Sequence, residues 1–567
     1  MSSPLSYPER GALLLISVAA IGVHVVFNRR EPRNPLVHAA LLGLPPMLLS
    51  TLFWNTSGPI YAVYMSFVAF FAVLCTSIVL YRISPFHPLA RYPGPLLNKI
   101  TKLYFSSIVM QGQSHLYVHK LHQQYGDVVR LGPNEVSICN ASVIQDMFGT
   151  GGLPRSEDVD PSPKSLSSAY MGRTMWSGNP PMLAMSGEAH LARRKWWNRA
   201  FNSTALKGYE TIISRRAEQL SGMLDKAAGE KVEIDLGLCF SYFMWDFMND
   251  MAFGGGSDML TQGEEGSMWH VLAAGLASGQ FFANLPWLAL YASKLPAFGQ
   301  DIKRLRMYGI QRAKERVQRG SVQHDLFYYL NNEDGVQKEA RPLAHVISDG
   351  ALAVIAGSDT TANVITHVFY YLLCNPTEYM RLQAEVDKFY PPGENSLDTE
   401  YHSDMPFMNA VINEALRLLP VLANGSDRTT PALGRLVGSI FLPGGTNATV
   451  HVYSVHRDPR NFAPNATSFW PARWLIATGE MTIAEAGISQ EEFVHNSSAF
   501  IPFSLGPANC VGKNLALQEM RTLICLIMQR FFLRFAAGYN PASYEDNVRN
   551  FFIMQKPELL LTVERRG

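Results

Sequence analysis

The chain has 567 residues, of which 47% are hydrophobic and only 17% charged, against a usual charged share of about 25%. It is too long for an average single domain, and its net charge of +1 leaves no bulk electrostatic case for nucleic-acid binding. The missing charge points to membrane segments.

Residues 11–27, 36–54 and 60–81 are uncharged apolar runs. At about 1.5 Å per residue the third reaches roughly 33 Å, enough to cross a hydrocarbon core of about 30 Å. The first imitates a secretory core, but Asn28-Arg29-Arg30 follows it where a small-residue cleavage site would stand. Pro45-Pro46 makes the middle run kinked or re-entrant. Arg29, Arg30 and Arg33 share one short loop, and Arg82, Arg91, Lys99 and Lys102 follow the last run. Both groups prefer the cytosolic side, which three spans satisfy. The expectation is an anchor over residues 1–83 with three membrane helices and a body over residues 84–567; a single final span is the alternative. Three spans put Asn55-Thr56-Ser57 on the lumenal side as a possible glycosylation acceptor, and leave Asn202-Ser203-Thr204 and Asn447-Ala448-Thr449 unmodified in the cytosol.

Four prolines in "SPFHPLARYPGP" mark the passage from anchor to body. "DVVRLGPNEVSICN" alternates like a hairpin around Gly132-Pro133-Asn134. Helical periodicity dominates from Ala141 onwards, interrupted by an irregular stretch over about residues 149–187. "GEAHLARRKWWNRAF" places His190 and Arg194 one turn apart, with Arg193, Lys195 and Arg199 beside them. It reads as a solvated basic helix, or as one face gripping a buried anion while another offers positive charge to an acidic partner. "LPWLALY", residues 285–291, is an apolar aromatic patch between helices, either core or membrane-dipping.

Residues 343–373 are the strongest helix, roughly 46 Å long. "AGSDTT" interrupts its apolar character, and Thr360 is placed to hydrogen-bond the Ala356 carbonyl four residues back. That is a Ser/Thr bend, or a groove for a small polar molecule with the acid Asp359 beside it. "NEALRLLP" sets Glu414 and Arg417 at i, i+3, a spacing that most often gives a surface ion pair. "FWPARW" holds Arg473, and β-like pieces return at "GTNATVHVYSV" and "FFIMQKPELLLTV". The six cysteines are scattered, so a disulfide framework is not expected. One of them, Cys510, stands in the glycine-bounded loop "FSLGPANCVG".

In combination, A-G-x-D-T-T, E-x-x-R, F-x-P-x-R-W and F-x-x-G-…-C-x-G at these separations resemble the heme-thiolate monooxygenases, the cytochrome P450 family. The resemblance covers roughly residues 85–565 and is closest to the membrane-anchored eukaryotic members, with fungal wording in "GPANCVGKNLA". It implies a mainly α fold with minor β, a long central helix over heme b, and small sheets. It implies Cys510 as the axial thiolate of the heme iron, a ligand whose electron density favours O–O cleavage. Gly506 and Gly512 would turn the loop tightly towards the porphyrin, and Phe503 would shield the sulfur. Asp359 and Thr360 become the acid–alcohol pair that supplies protons for O2 activation. Glu414, Arg417 and Arg473 become a structural triad that secures folding and heme retention. Where many members carry Arg or His two residues before the cysteine, this chain has Ala508. The heme propionates are therefore expected to rely on His190, Arg194 and Arg428.

The activity so implied is hydroxylation or epoxidation of a hydrophobic small molecule, such as a terpenoid of fungal secondary metabolism, at the cytosolic face of the endoplasmic reticulum. The sequence has no Rossmann glycine fingerprint, so electrons come from an external NADPH-cytochrome P450 reductase, with cytochrome b5 as a second candidate donor. Arg193, Lys195 and Lys513 are expected to attract it. Val354, Ile355, residues 421–424, part of 149–187 and the Phe551-Phe552-Ile553 turn are expected to face the substrate. The alternatives are a heme-thiolate isomerase or dehydratase, and a heme sensor without chemistry.

Overall fold

The computed structural model describes residues 7–566 apart from 31, 33, 55–57, 156–178, 186, 265–267, 293, 296–299, 322 and 340. The three uncharged runs form the helices α1 (Tyr7–Arg29), α2 (Pro35–Leu49) and α3 (Pro59–Ile83). They pack around Ala12, Ile16, Ala20, Ala62 and Phe70, small residues letting the backbones approach, while Leu14, Val18 and Ile60 point outwards. Segments Arg10–Arg29, Pro35–Phe53 and Pro59–Ile83 are each long and apolar enough to cross a membrane. Helix α2 runs through Pro45-Pro46 and tightens into a 3-10 turn over Ser50–Phe53. The Ser66 hydroxyl of α3 donates to the Pro46 carbonyl at 2.7 Å. Arg33 and the Asn55-Thr56-Ser57 sequon lie outside the described residues, as do residues 156–178 of the irregular stretch.

The body is mainly helical. Strands β1 (Val128–Gly132) and β2 (Glu135–Ile138) make the expected hairpin. Then come α4 (Gly187–Ala200), α5 (Leu236–Phe253), α6 (Pro286–Ala292), α7 (Leu343–Cys374) and α8 (Pro406–Leu418). Strands β3 (Arg428–Thr429) and β4 (Asn447–Val450) complete a four-stranded sheet in the order β1-β2-β4-β3, with β2 and β4 parallel. Helix α9 (Lys513–Arg530) follows the Cys510 loop, and β5 (Arg549–Phe551) pairs with β6 (Ile553–Gln555) in a short hairpin.

Nearly every residue of α5 is buried, Trp245 and the stacked rings of Phe243 and Phe247 among them. It lies against α7 so closely that a Cβ at Gly357 would meet the Met248 sulfur at 2.5 Å. Helix α7 is thereby the axis of the body, and what interrupts its apolar face becomes visible to the interior.

Two expectations need correction. "HVYSV" does not continue strand β4: Val452–His456 is a helical turn, because the Val455 N–H bonds back to the His451 carbonyl and the His451 ring meets the Ser454 hydroxyl at 2.6 Å. The 285–291 patch is not a connector but the helix α6 itself, with Trp287 and Tyr291 exposed. The tripeptide at Asn447 is buried in the central sheet, and Asn202 caps the helix Ser203–Glu230 by accepting from the Ala205 N–H.

Candidate active site

The Cys510 loop is built by its neighbours. The Cys510 N–H donates to the Phe503 carbonyl at 2.9 Å, and Gly506 turns with φ +72° where a Cβ would sit 2.0 Å from the Phe148 carbonyl oxygen. Gly506 is thus required by contact with the protein behind the loop. Gly512 departs from expectation: φ is −83°, open to any residue, and a Cβ there would make only ordinary contacts. Its contribution is its N–H, which with that of Lys513 points at the Cys510 sulfur at the start of α9. Burial pushes the thiol up, while the Gly512 amide, Arg194 and the Lys513 amide pull it back. A helix N-terminus of this kind favours thiolate over thiol. Phe503 is half-buried against the core, with the Lys513 ammonium 5.9 Å above its ring.

Cys510 keeps an exposed surface although burial raises its thiol. The sulfur therefore faces an opening in the body, and we take that opening as the cleft. Helix α7 opens in the same way: Ala356 is exposed and Ile355 and Thr360 half-open, between stretches that are buried on both flanks. The Thr360 hydroxyl donates to the Ala356 carbonyl at 2.6 Å, as the spacing predicts, without breaking the helix. Val354 is buried, so the open position is Ala356 instead. Thr361, next to Thr360, lies beside Glu519 of α9 and draws its carboxyl down against burial.

At the edge of this region positive charge accumulates. His190 is pushed down to about 4 by burial and by Arg155, Arg194 and Arg428. Arg428 is pushed down to about 10 by burial and by Arg155, with Asp427 acting against them. Its guanidinium lies 4.7 Å over the Phe148 ring. The structure thus unites the three residues expected for the propionates and adds Arg155, which donates to the Leu183 and Met185 carbonyls. Arg194 also binds the Cys510 loop, donating to the Asn509 carbonyl at 2.6 Å and to Asn509 Oδ1 at 2.8 Å. Sulfur at a helix start, a cleft and a cationic edge fit iron protoporphyrin IX with its two carboxylates.

The motif ions are not on the surface. Glu414, Arg417 and Arg473 are all 0% exposed. Arg417 donates to both Glu414 oxygens at 2.8 and 2.9 Å, Arg473 to one at 3.1 Å, and the Trp470 amide and Trp474 indole complete the carboxylate at 2.9 Å. Arg193 turns inward to Asp349 at 3.0 Å and is buried, so it offers no charge to a partner; Lys195 and Lys513 remain exposed. Asp359 is buried, accepting from Asn363 at 2.9 Å with the Lys556 ammonium at 4.0 Å.

Arg155, Glu519 and Lys556 escaped the sequence reading. Glu519 carries a weak signal, an acid on an apolar helix; it is pushed up to about 8 by burial, and its Oε1 has no partner among the described residues. Phe552, with φ 75°, is exposed at the tip of the β5–β6 hairpin, whereas a Cβ at Gly112 would touch the Phe551 ring at 3.0 Å, so Phe551 packs on the protein.

The model of the family described as "Cytochrome P450" matches residues 93–563. Similar curated proteins include the cytochrome P450 monooxygenase FCK2 of Fusarium pseudograminearum, 30% identical over 87% of this chain and 85% of its own. The cytochrome P450 monooxygenase nodW of Hypoxylon pulicicidum is 29% identical over 98% of both, and the tryprostatin B 6-hydroxylase of Neosartorya fischeri 29% over 88% of this chain and 86% of its own. With the match extending over the body that holds Cys510, the Glu414 network and the open stretch of α7, the chain belongs to the cytochrome P450 family of heme-dependent oxidoreductases.

Proposed function

We propose that the protein inserts one atom of O2 into a hydrophobic small molecule of fungal secondary metabolism, by hydroxylation or epoxidation. The observation that carries this reading is the Cys510 sulfur, exposed at the start of α9 with the Gly512 and Lys513 amides turned on it and the Arg194–Arg428 cationic edge beside it. Heme b, when bound, supplies the redox chemistry that activates O2. Cys510 holds it through a thiolate that the Gly512 and Lys513 amides stabilise. His190, Arg194, Arg428 and Arg155 receive the propionates in place of the side chain that Ala508 lacks. The Thr360 hydroxyl holds a proton at the edge of the cleft, and Asp359 replenishes it. The intact pair favours oxygenation over isomerisation. That one relative is named a 6-hydroxylase supports hydroxylation here.

Residues 1–83 anchor the catalytic body, residues 84–567, in the endoplasmic reticulum membrane with that body in the cytosol. Exposed Trp287 and Tyr291 on α6 support substrate entry from the bilayer. Electrons come from NADPH-cytochrome P450 reductase or cytochrome b5, docking near exposed Lys195 and Lys513.

With that reductase and a ligand found by its spin-state shift, NADPH and O2 consumption should match product formation. Thr360→Ala should retain the spin-state shift yet divert most electrons into hydrogen peroxide. Unchanged coupling would remove Thr360 from the reaction, and no reductase-dependent NADPH oxidation at all would overturn the reading.

A further inference from the structure

Behind the open face of α7 runs a second, closed polar stripe. Asp359, Asn363 and His367 stand at i, i+4 and i+8 on one face and are all buried. The Asn363 amide donates to the Asp359 carbonyl at 2.6 Å and to Asp359 Oδ1 at 2.9 Å. Asn363 Oδ1 accepts from the Lys556 backbone N–H at 2.6 Å. Lys556 comes from the segment just beyond β6, and its side chain reaches between α5 and α7. Its ammonium lies 2.8 Å from the Ser241 hydroxyl of α5 and 4.0 Å from Asp359 Oδ1, with side-chain exposures of 8% for the lysine and 6% for the aspartate. The lysine stem is close against the start of α5, where a Cβ at Gly237 would meet its Cε at 3.2 Å.

A lysine this deep is costly unless its charge is used. The carboxylates near it are Asp359 and, at the N-cap of α5, Asp235. His367 is pushed to about 3 by burial and by Lys556, so it stays neutral; its Nδ1 meets the Tyr544 hydroxyl at 2.9 Å. Burial raises Asp359, and the first group opposing that is Lys556. At 4.0 Å, with the Asn363 amide on the same oxygen, the pair is not a closed two-point ion bridge. Burial lowers the lysine while Asp359 and then Asp235 oppose that, which places its ammonium as the positive group behind the carboxylate.

We propose that Lys556 is a positioning residue for Asp359: its ammonium keeps the carboxylate ionised and fixed on the Asn363 amide, ready to take up and pass on a proton beside Thr360. This rests on the reading of Asp359 as proton supplier. Lys556→Met should leave the buried aspartate protonated at neutral pH. The full chain in detergent should then gain one carboxylic-acid C=O stretch in the infrared difference spectrum against the unsubstituted protein, moving in D2O and fading as pH is raised. Glu519 contributes equally to both proteins and cancels. The band should be absent from the double variant Lys556→Met/Asp359→Asn, which should also recover any thermal stability lost on removing the lysine alone. Electron coupling to product should fall several-fold in Lys556→Met and no further in the double variant. No added band, or one that persists in the double variant, overturns the proposal. A band with the expected behaviour, beside an Asp359→Asn enzyme of full coupling, supports the charge assignment and instead removes Asp359 from proton supply.

Discussion

Glu414 shows how burial changes the meaning of a residue pair. In water an i, i+3 pair contributes a few tenths of a kcal/mol. Here burial alone would raise the carboxyl, yet Arg417 and then Arg473 hold it below the usual range. Removing the acid strands two guanidiniums in the core, a change that typically costs about 3–5 kcal/mol. Glu414→Ala is therefore expected to lower the unfolding free energy by about that amount and to yield protein depleted of heme. A variant with normal heme content and thermal midpoint would contradict this. Residues of this kind are legible because their spacing in the chain survives in the fold. Glu414, Arg417 and Arg473 belong to that group, as does the Thr360 hydroxyl on the Ala356 carbonyl. Arg155 and Lys556 do not: each acquires meaning only from partners far away in sequence, and no local pattern announces that.

Helices and strands carry a different vulnerability. The helix Ser114–Tyr125 presents His115, His119 and His122 towards the end of β4, where His451 stacks on His122 with ring centroids 5.7 Å apart. His119 and His451 both meet the Ser454 hydroxyl. Burial is the main cause that pushes His115 to about 3 and His119 to about 4, with Arg457 next; His122 and His451 are lowered as well. Folded pKa values below the unfolded 6.5 mean that the unfolded chain binds more protons in acid. Their stability contribution is complete above about pH 6.5 and is lost as pH falls towards about 4, at up to about 1.4 kcal/mol per histidine and pH unit. The thermal midpoint should therefore drop between pH 7 and pH 5, and less steeply in His115→Gln/His119→Gln; a flat midpoint would contradict the burial of these rings. At this scale periodicity was a good guide to α7 and to the β1–β2 hairpin. It failed at "HVYSV", where alternation meant a helical turn, and at Arg193, because a basic run does not reveal which of its members faces Asp349.

The whole molecule joins two environments. Tyr291 of α6 hydrogen-bonds His38 of α2, so this end of α6 sits against the apolar helices. Lys195 and Lys513 lie open near the Cys510 side, a placement suited to an acidic redox partner. Raising ionic strength from about 0.01 to about 0.1 M shortens the screening length from about 30 to about 10 Å. Reductase-dependent reduction should slow several-fold over that range, and the dependence should weaken in Lys195→Ala/Lys513→Ala; an insensitive rate would place the electron-transfer surface elsewhere. The heme-retention and electron-transfer expectations presuppose a heme on Cys510. Electron paramagnetic resonance of the ferric protein, beside that of Cys510→Ser, tests this most directly. The unsubstituted protein should show a thiolate-ligated heme, and the variant, with its helical content unchanged by circular dichroism, should show either no heme or heme without thiolate. A thiolate signature that survives in Cys510→Ser would contradict the assignment at its centre.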